Sequence, residues 1–249
     1  MYKRIVEKFG SAYHFGHKGE PDYETMEKRV REIEKDMDNG LYTIVTASGA
    51  VAFGMRETGE KRPKSELTLA EKQKYAAIGE NELLNFYKKI SNKPVAGILF
   101  SIHDLYHSKS IKGTLESCIE DSIVVVNRND PTDLLALKAG YEHEMDNDMT
   151  AAWLLSLCDA NLLIKRCRYD GFMNNGHVIP EIPCITQEHW DYCNGTTSLG
   201  TGGGESTLNA AQYVIENNKK MVIGNVKHSR DEILQNEVKA TWIPGYEIK

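Results

Sequence analysis

The sequence predicts an α/β protein, a three-layer αβα sandwich built on a mainly parallel central sheet. Compact apolar runs alternate with segments of helical spacing along the chain, which is typical of βαβ units. The apolar runs suit buried strands of a sheet that is covered on both faces. No internal repeat and no long polar linker interrupts this alternation, so residues 1–249 are predicted to form a single domain.

The individual elements follow from the same pattern, and together they predict a sheet of about eight strands. The apolar runs place strands at residues 4–6, 41–45, 95–102, 123–126, 162–164 and 221–223. Helical spacing places helices at residues 24–38, 69–90, 149–157 and 207–217. Thr68 directly precedes the longest of these helices and is the predicted N-cap.

Composition and charge exclude several classes of protein. Of the 249 residues, 41% are hydrophobic and 27% are charged, which is enough for a real core. The formal net charge is −6, and no basic stretch indicates a nucleic-acid partner. No apolar run approaches the roughly 20 residues that span a bilayer, and the first residues lack the apolar segment of a secretory signal. We therefore expect a cytoplasmic protein without nucleic-acid or membrane partners.

Cysteine usage indicates neither disulfides nor a metal site. The five cysteines are odd in number and scattered, which favours reduced thiols. Cys184, His189 and Cys193 have a spacing that faintly suggests metal ligands, but no fourth ligand stands nearby. A structural role is the preferred interpretation, and no metal-ligating residue is predicted.

Four small turns follow predicted strands, at residues 8–11, 46–50, 127–130 and 200–204. In open parallel sheets, ligands gather beyond the carboxyl ends of the strands. Glycine lets backbone N–H groups approach phosphate oxygens, especially where a helix begins directly afterwards. The glycine run at 200–204 meets that condition, although such a loop is a weak signal by itself.

An acidic segment at residues 144–148 opens one predicted helix and has two interpretations. Asp and Asn favour helix N-termini, so capping explains the segment. The alternative is a carboxylate that is fixed beside the cleft and organises cations. On these residues alone, capping is favoured.

Six motifs in unbroken order resemble the glutamate 5-kinases of the amino-acid kinase superfamily, and also the kinase half of pyrroline-5-carboxylate synthase. The motifs are Lys8 with Gly10 and Ser11, SGAVAFG at 48–54, KQKYAAIG at 72–79, NRND at 127–130, DND at 146–148 and GTGGG at 200–204. The similarity runs from about residue 3 to residue 225. The C-terminal RNA-binding-like domain of many bacterial members is not expected in this chain.

The resemblance implies a carbamate kinase-like fold and a specific reaction. The γ-phosphoryl group of ATP would move to a carboxylate, with the γ-carboxylate of glutamate as the default acceptor and glutamyl 5-phosphate, a proline precursor, as the product. ATP and Mg2+ are the implied cofactors. A small amino acid or carboxylate is the implied substrate, and a homo-oligomer is the implied assembly.

The resemblance also implies roles for individual residues. Lys8 and Asp148 would be catalytic, with Asp148 aligning the lysines. Ser48, Asp130 and Asn147 would hold the amino-acid substrate. The implied nucleotide-binding residues are Lys8, Gly10, Ser11, Cys167, Arg168, Gly202, Gly203 and Thr207.

The sequence departs from the family on the nucleotide side. Cys167 and Arg168 stand where the family has Thr and Asp, and Thr207 replaces a phosphate-binding lysine. Arg168 or Lys165 is a candidate replacement cation, with Arg168 favoured by the ungapped match. The basic pair 165–166 is interpreted either as a solvated strand end or as a relocated phosphate clamp. Weak ATP affinity or an unusual donor pose is expected.

A further departure concerns the substrate. Arg128 replaces the Glu of the family's Asn-Glu-Asn-Asp motif, and a cation there would pair with an extra carboxylate or reject an ammonium group. The substrate is then another acid, or glutamate attached to something else. Two alternatives stay open: a catalytically weakened kinase-like protein that binds a ligand or partner, and a kinase of this fold that acts on a phosphate or carbamate.

Overall fold

The computed structural model of the chain describes residues 3–16, 19–101, 104, 108–132, 146–194 and 203–245. The strands are β1 (Arg4–Phe9), β2 (Tyr42–Ala47), β3 (Val95–Phe100), β4 (Ile123–Arg128), β5 (Leu162–Cys167), β6 (Met173–Asn174), β7 (His177–Val178), β8 (Lys220–Asn225) and β9 (Ala240–Ile243). The helices are α1 (Tyr23–Asp38), α2 (Ala50–Glu57), α3 (Leu69–Ile90), α4 (Ser108–Cys118), α5 (Asn147–Leu157), α6 (Gln187–Asn194), α7 (Gly203–Glu216) and α8 (Arg230–Leu234).

Within the described ranges, one sheet of seven strands runs in the order β3-β4-β2-β1-β5-β8-β9. All its neighbouring strands pair in parallel except β8 and β9, which pair antiparallel. Strands β6 and β7 form a separate antiparallel ribbon. The predicted α/β fold with a mainly parallel central sheet is confirmed, with seven strands where about eight were expected.

Helices cover both faces of the sheet. Val6 and Leu163 point toward a core that includes residues of α4, α5 and α7. Phe9 and Val45 point to the other side, into a core formed with α1 and α3. Successive residues of a strand face opposite sides, so burial on both sides requires uninterrupted apolar runs. This requirement explains why the strands were visible in the sequence.

The predicted helices and strands are confirmed, most closely at α3. Its bounds match the prediction, and Thr68 forms the predicted cap. The N–H group of Glu71 donates to Thr68 Oγ1 at 3.3 Å, and the Glu71 carboxylate accepts the N–H of Thr68 at 2.8 Å, which is a capping box. Most of the other elements extend a few residues beyond the predictions, whereas α2, α4, α6, α8, β6, β7 and β9 were not predicted.

The motif at 48–54, which begins in the turn predicted after β2, is mostly helix α2, and the packing of this helix explains two motifs. A Cβ atom at Gly79 would lie 1.8 Å from the carbonyl oxygen of Ala50, and one at Gly54 would lie 1.9 Å from that of Tyr75. Helices α2 and α3 therefore touch backbone to backbone, which only glycine permits at these two positions. The motifs at 48–54 and 72–79 form this contact, which fixes the helix that begins directly after Ser48 and Gly49.

Replacing Gly79 by alanine is expected to lower the free energy of unfolding by about 1–3 kcal/mol, because the new methyl group must push α2 away from α3. Urea denaturation measures the change. Gly113→Ala is the matched control, since Gly113 lies in α4 and nothing stands within 4 Å of its Cβ position. That variant should gain about 0.5–1 kcal/mol from helix propensity. Equal effects at both positions would contradict the close helix contact.

Candidate active site

The candidate site lies where the strand order changes direction. From β1 the sheet extends to β2 on one side and to β5 on the other. Helix α1, which follows β1, covers one face, and α7, after β5, covers the opposite face. The connections after β1 and β5 therefore diverge, and ligands in open α/β sheets bind in the crevice formed at such a point. Lys8 and Lys165 are register partners in these two strands.

Asp148, in the first turn of α5, joins the two lysines. The Nζ atom of Lys8 lies 2.5 Å from Asp148 Oδ1, and the Nζ of Lys165 contacts Oδ2. Asp148 is 3% exposed and Lys165 is 8% exposed. Burial opposes ionisation, but Lys165 and Lys8 outweigh it and hold the pKa of Asp148 well below its usual range. An ionised carboxylate therefore holds two ammonium groups together.

The start of α7 completes this group with two hydroxyls. Ser206 Oγ donates to Asp148 Oδ2 at 3.1 Å. The Lys165 ammonium donates to Thr207 Oγ1, which itself lies 3.4 Å from Asp148 Oδ2. Thr207, which was predicted to bind the nucleotide, thus contacts a lysine that comes from β5.

The acidic segment at the start of α5 both caps the helix and contacts the lysines, and a different residue makes each of these interactions. Asp146 is the N-cap, and its Oδ1 accepts the N–H groups of Asp148 and Met149 at 2.9 Å each. Burial, and then the charge of Asp148, raise the pKa of Asp146. Asp148 is not the cap, because its carboxylate faces the lysines. Capping therefore does not explain Asp148.

Two of the predicted substrate residues are in direct contact. Asn147 Nδ2 donates to Ser48 Oγ at 2.6 Å. Asn147 immediately precedes Asp148 in α5, so this pair lies next to the lysine group. Four predicted residues are therefore brought together from strand β1 (Lys8), helix α5 (Asn147 and Asp148) and the turn after β2 (Ser48).

Asp130, the third predicted substrate residue, follows β4 beside a buried glutamate that the sequence reasoning missed. Glu80 of α3 is 6% exposed, and its Oε1 accepts a hydrogen bond from Asn127 Nδ2 at 2.6 Å. Burial, and then the charge of Asp130, raise the pKa of Glu80 to about 8. Arg128, the residue that departs from the family motif, is buried at the end of β4.

Glu80→Gln is expected to make the protein less sensitive to alkaline pH. The pKa of Glu80 is raised in the folded state, so its favourable contribution is complete below the unfolded value of 4.5 and is lost as the pH rises to about 8. Glutamine keeps an acceptor for Asn127 without ionising. Urea titrations at pH 5 and pH 9 should show a smaller loss in the variant, by on the order of 1 kcal/mol or more. Glu82→Gln, on the same helix, should behave like the wild type, and a similar gain there would refute the assignment.

The predicted nucleotide residues of the first and fifth strands lie at the same edge of the sheet. Gly10 and Ser11 follow β1 and enter a short 3-10 helix that ends at Tyr13. The Tyr13 hydroxyl accepts the backbone N–H of Arg168 at 2.8 Å, which connects the two strand ends. The Arg168 side chain is exposed.

The remaining predicted nucleotide residues are placed as follows. Cys167 is the last residue of β5, and its Sγ donates to the carbonyl oxygen of Tyr169 at 3.0 Å. Gly203 is the first residue of α7. Gly202 lies outside the described residues.

Behind the site, on the opposite face of the sheet, lies a buried ionic network. Glu7 accepts Arg166 Nε at Oε1 and Arg230 Nη2 at Oε2, each at 2.5 Å. Arg230 also contacts Asp36, and Arg166 Nη2 lies 3.9 Å from Glu32. Burial alone would raise the pKa of Glu7, but the two arginines outweigh it and lower this pKa to about 2.

The basic pair at 165–166 is therefore not a solvated strand end, and that interpretation is wrong. Both side chains are buried. Because neighbouring strand residues face opposite sides, Lys165 reaches the site and Arg166 reaches the ionic network. A single strand end supplies both groups.

The comparison with known families is decided by one extended match. The sequence pattern of the amino acid kinase family matches residues 3–225. This range contains β1–β5 and β8, together with all the site residues above. The chain belongs to the amino acid kinase family.

Within the amino acid kinase family, the chain is similar to glutamate 5-kinases, as the motifs indicated. The enzyme of Citrifermentans bemidjiense is 28% identical over 256 residues, which cover 96% of this chain and 67% of that protein. The Clostridium acetobutylicum enzyme is 32% identical over 238 residues, covering 89% of this chain and 86% of its own length. The Thermoanaerobacter sp. X514 enzyme is 30% identical over 240 residues, covering 90% of this chain. The match covers 62% of that relative, so this chain spans less than two thirds of its length.

A solved structure shows that the fold is shared more widely. UMP kinase from Ureaplasma parvum superimposes with a TM-score of 0.57 at 16% identity, covering 98% of this chain and 99% of that one. At this identity the likeness concerns the fold alone.

Two features are absent from the described residues. Over those residues, no helix combines the length and apolar character needed to cross a membrane. They also contain no group of three or more His, Cys, Asp or Glu side chains arranged to hold a metal ion. His189 Nδ1 instead lies 2.8 Å from Thr186 Oγ1, and Cys184 is exposed.

Proposed function

We propose that this member of the amino acid kinase family transfers the γ-phosphoryl group of ATP to a carboxylate, with the γ-carboxylate of glutamate as the acceptor. The observation that supports this most is the adjacency of two groups. The Asn147–Ser48 pair, expected on the substrate side, lies directly beside the Lys8–Asp148–Lys165 group. The names of the relatives support glutamate as the acceptor. We further propose that residues 1–249 act as one domain, since a single sheet extends from β1 to β9.

The reaction requires positioning and charge neutralisation more than a protein nucleophile. An oxygen of the substrate carboxylate attacks the γ-phosphorus of ATP. The bond from this phosphorus to the β,γ-bridging oxygen breaks, its electron pair stays on ADP, and the products are glutamyl 5-phosphate and ADP. Negative charge on the transferring oxygens is stabilised by fixed cations. Lys8 is assigned to this role, and Asp148 is a positioning residue that holds its ammonium in place.

The substrate side of the proposed site has a matching arrangement. Asn147 offers an amide group on the helix turn that presents Asp148, and Ser48, in the turn after β2, adds a hydroxyl in contact with it. Asp130 is assigned to bind the α-ammonium group of the substrate, because its carboxylate has the opposite charge. Because Arg128 stands in the same motif, the test below includes acids that lack a free ammonium group.

The described residues do not form a dedicated magnesium site. The Asp148 carboxylate is already engaged by two ammonium groups, and the described part of the chain holds no acidic cluster of the required kind. Magnesium in kinase sites is commonly bound through substrate phosphates and water. We therefore expect Mg2+ to enter with ATP, and no step above depends on it.

The proposal is tested by trapping the acyl phosphate with hydroxylamine. Wild-type protein with ATP, MgCl2 and glutamate should give a hydroxamate and an equal amount of ADP, and Lys8→Met should give neither. Aspartate, glutarate and N-acetylglutamate define the acceptor. A better signal with glutarate or N-acetylglutamate would move the acceptor to an acid without a free ammonium. Nucleotide binding without ADP or hydroxamate from any acid would instead support the binding-module alternative.

The alternative of a catalytically weakened, ligand-binding protein is supported by two departures from the family, at Thr207 and at the pair Cys167 and Arg168. Thr207 is uncharged and stands where the glutamate 5-kinases have a lysine. The loss of this charge would weaken phosphoryl transfer. The contact between Thr207 and the Lys165 ammonium argues against such weakening.

A further inference from the structure

Lys165 is an unusual residue in a buried strand. Strand β5 reads Leu-Leu-Ile-Lys-Arg-Cys, and its first five residues are buried. Burying an ammonium group without a partner costs free energy. The contacts that the Lys165 side chain makes therefore indicate its role. Those contacts are the Asp148 carboxylate and the Thr207 hydroxyl at the start of α7.

Two ammonium groups meet one directly bonded carboxylate in this group. Lys8 and Lys165 share the single carboxylate of Asp148, one oxygen each. Asp146, the other carboxyl group at this helix start, accepts backbone N–H groups through Oδ1 and interacts with Lys8 only through its charge. An ammonium has three donors, and Asp148 and Thr207 occupy two of those on Lys165. Two cations at the start of α7 thus share one directly bonded carboxylate, an arrangement that an anionic ligand would stabilise. Glu205, in the first turn of α7, offsets part of the positive helix end.

The position of the group indicates which anion fits. It lies at the carboxyl edge of the sheet, between the Gly10 turn after β1 and the first turn of α7. Lys8 Nζ lies 3.9 Å from the Cβ position of Gly10, so backbone N–H groups of that turn are close to the same space. Ammonium groups, glycine N–H groups and a helix N-terminus are the components of phosphate sites.

We propose that Lys165 is a phosphate-binding cation that acts with Lys8 on the polyphosphate of a nucleoside triphosphate. It replaces, from β5, the charge that Thr207 does not supply from α7. This assignment deepens the proposed function and rests on it for the identity of the donor. It differs from the expectation for Arg168, whose side chain is exposed at the end of the same strand and which stays a separate prediction.

Calorimetric titration with inorganic tripolyphosphate tests the assignment without any substrate or turnover. Wild-type protein should bind this probe, and Lys165→Met should bind it about 10- to 100-fold more weakly, as expected for a lost charged hydrogen bond. Lys220→Met is the matched control, because Lys220 is an exposed lysine at the opposite end of the neighbouring strand β8. That control should bind like the wild type.

A double variant that moves the positive charge from β5 to α7 tests whether the loss of binding is caused by misfolding. Lys165→Met combined with Thr207→Lys removes the ammonium from β5 and returns one from α7, and it should recover at least part of the lost affinity. The same pair of variants should show ATP turnover lowered about 10²–10³-fold and then partly restored. Recovery would exclude misfolding as the cause of the loss.

The outcomes separate this inference from the proposed function. Loss of tripolyphosphate binding in Lys165→Met, with no hydroxamate from the wild type, would support the clamp and reject the kinase. Hydroxamate formation with unchanged binding in Lys165→Met would reject the clamp and leave the kinase standing. Absence of tripolyphosphate binding by the wild type, or a loss in Arg168→Met alone, would also overturn the assignment of Lys165.

Discussion

Asp148→Asn is expected to reduce phosphoryl transfer by about 100-fold or more, because the carboxylate that aligns two cations at the transferring group is lost. The variant is also expected to lose about 3–5 kcal/mol of stability, since two largely buried ammonium groups lose the carboxylate that they share. Hydroxamate formation measures the first effect and urea denaturation measures the second. Tripolyphosphate should still bind, because the site becomes more positive. This separates positioning from binding.

Asp146→Asn is the matched control for this prediction. Asp146 caps the same helix through its Oδ1, and asparagine is as good an N-cap as aspartate. Its stability should therefore change by less than about 0.5 kcal/mol. Equal losses in the two variants would return Asp148 to a purely structural role at the helix start. Parallel losses of turnover and tripolyphosphate binding in Asp148→Asn would show that the carboxylate does more than position the lysines.

Glu7→Gln is expected to destabilise the protein by about 3–5 kcal/mol, because it leaves the buried charges of Arg166 and Arg230 without their shared carboxylate. Glu7 is 1% exposed and accepts a 2.5 Å contact from each arginine. Its network lies on the face opposite Lys8, so tripolyphosphate binding at low temperature should be retained by the folded fraction. Denaturation curves and calorimetric titration measure the two quantities.

The Glu7 network also predicts a specific response to acid. The pKa of Glu7 is about 2 in the folded protein, below the unfolded value of 4.5. The contribution of Glu7 to folding stability is therefore complete above pH 4.5 and is lost as the pH falls toward 2. The wild type should therefore lose stability over this window more steeply than Glu7→Gln. Glu27→Gln, on the exposed side of α1, is the control and should follow the wild type. Parallel acid titrations of wild type and Glu7→Gln would refute the role of the network.

The order of the motifs predicted most of the candidate site. Lys8, Ser48, Asn147 and Asp148 were singled out from turns and helix starts at the ends of predicted strands, and the structure brings them together. Parallel strands end at one edge of a sheet, so residues after several such strands meet there regardless of their separation along the chain. Their functional assignments stay predictions, as do those of Gly10, Ser11, Cys167, Arg168, Gly203 and Thr207.

The sequence pattern of β5, an apolar run that ends in two basic residues, does not predict the contacts of Lys165 and Arg166. A basic pair at the end of an apolar run is equally compatible with solvent and with a site. Arg166 meets Glu7, which is 159 positions away in the sequence, and Lys165 meets Thr207 only after α7 has packed beside α5. Glu80 escaped notice because one acidic residue in a charged helix is normally solvated.

The sequence by itself determined the fold class, the strand and helix order and the edge at which function was expected. Uninterrupted apolar runs and glycine turns are local signals, so they can be recognised from the sequence without the tertiary structure. The tertiary structure alone decided which carboxyl group caps α5 and which one holds the lysines. It also decided which of two adjacent basic residues faces the site. Those choices depend on strand register and on which face a side chain occupies, because alternate strand residues point to opposite sides of the sheet.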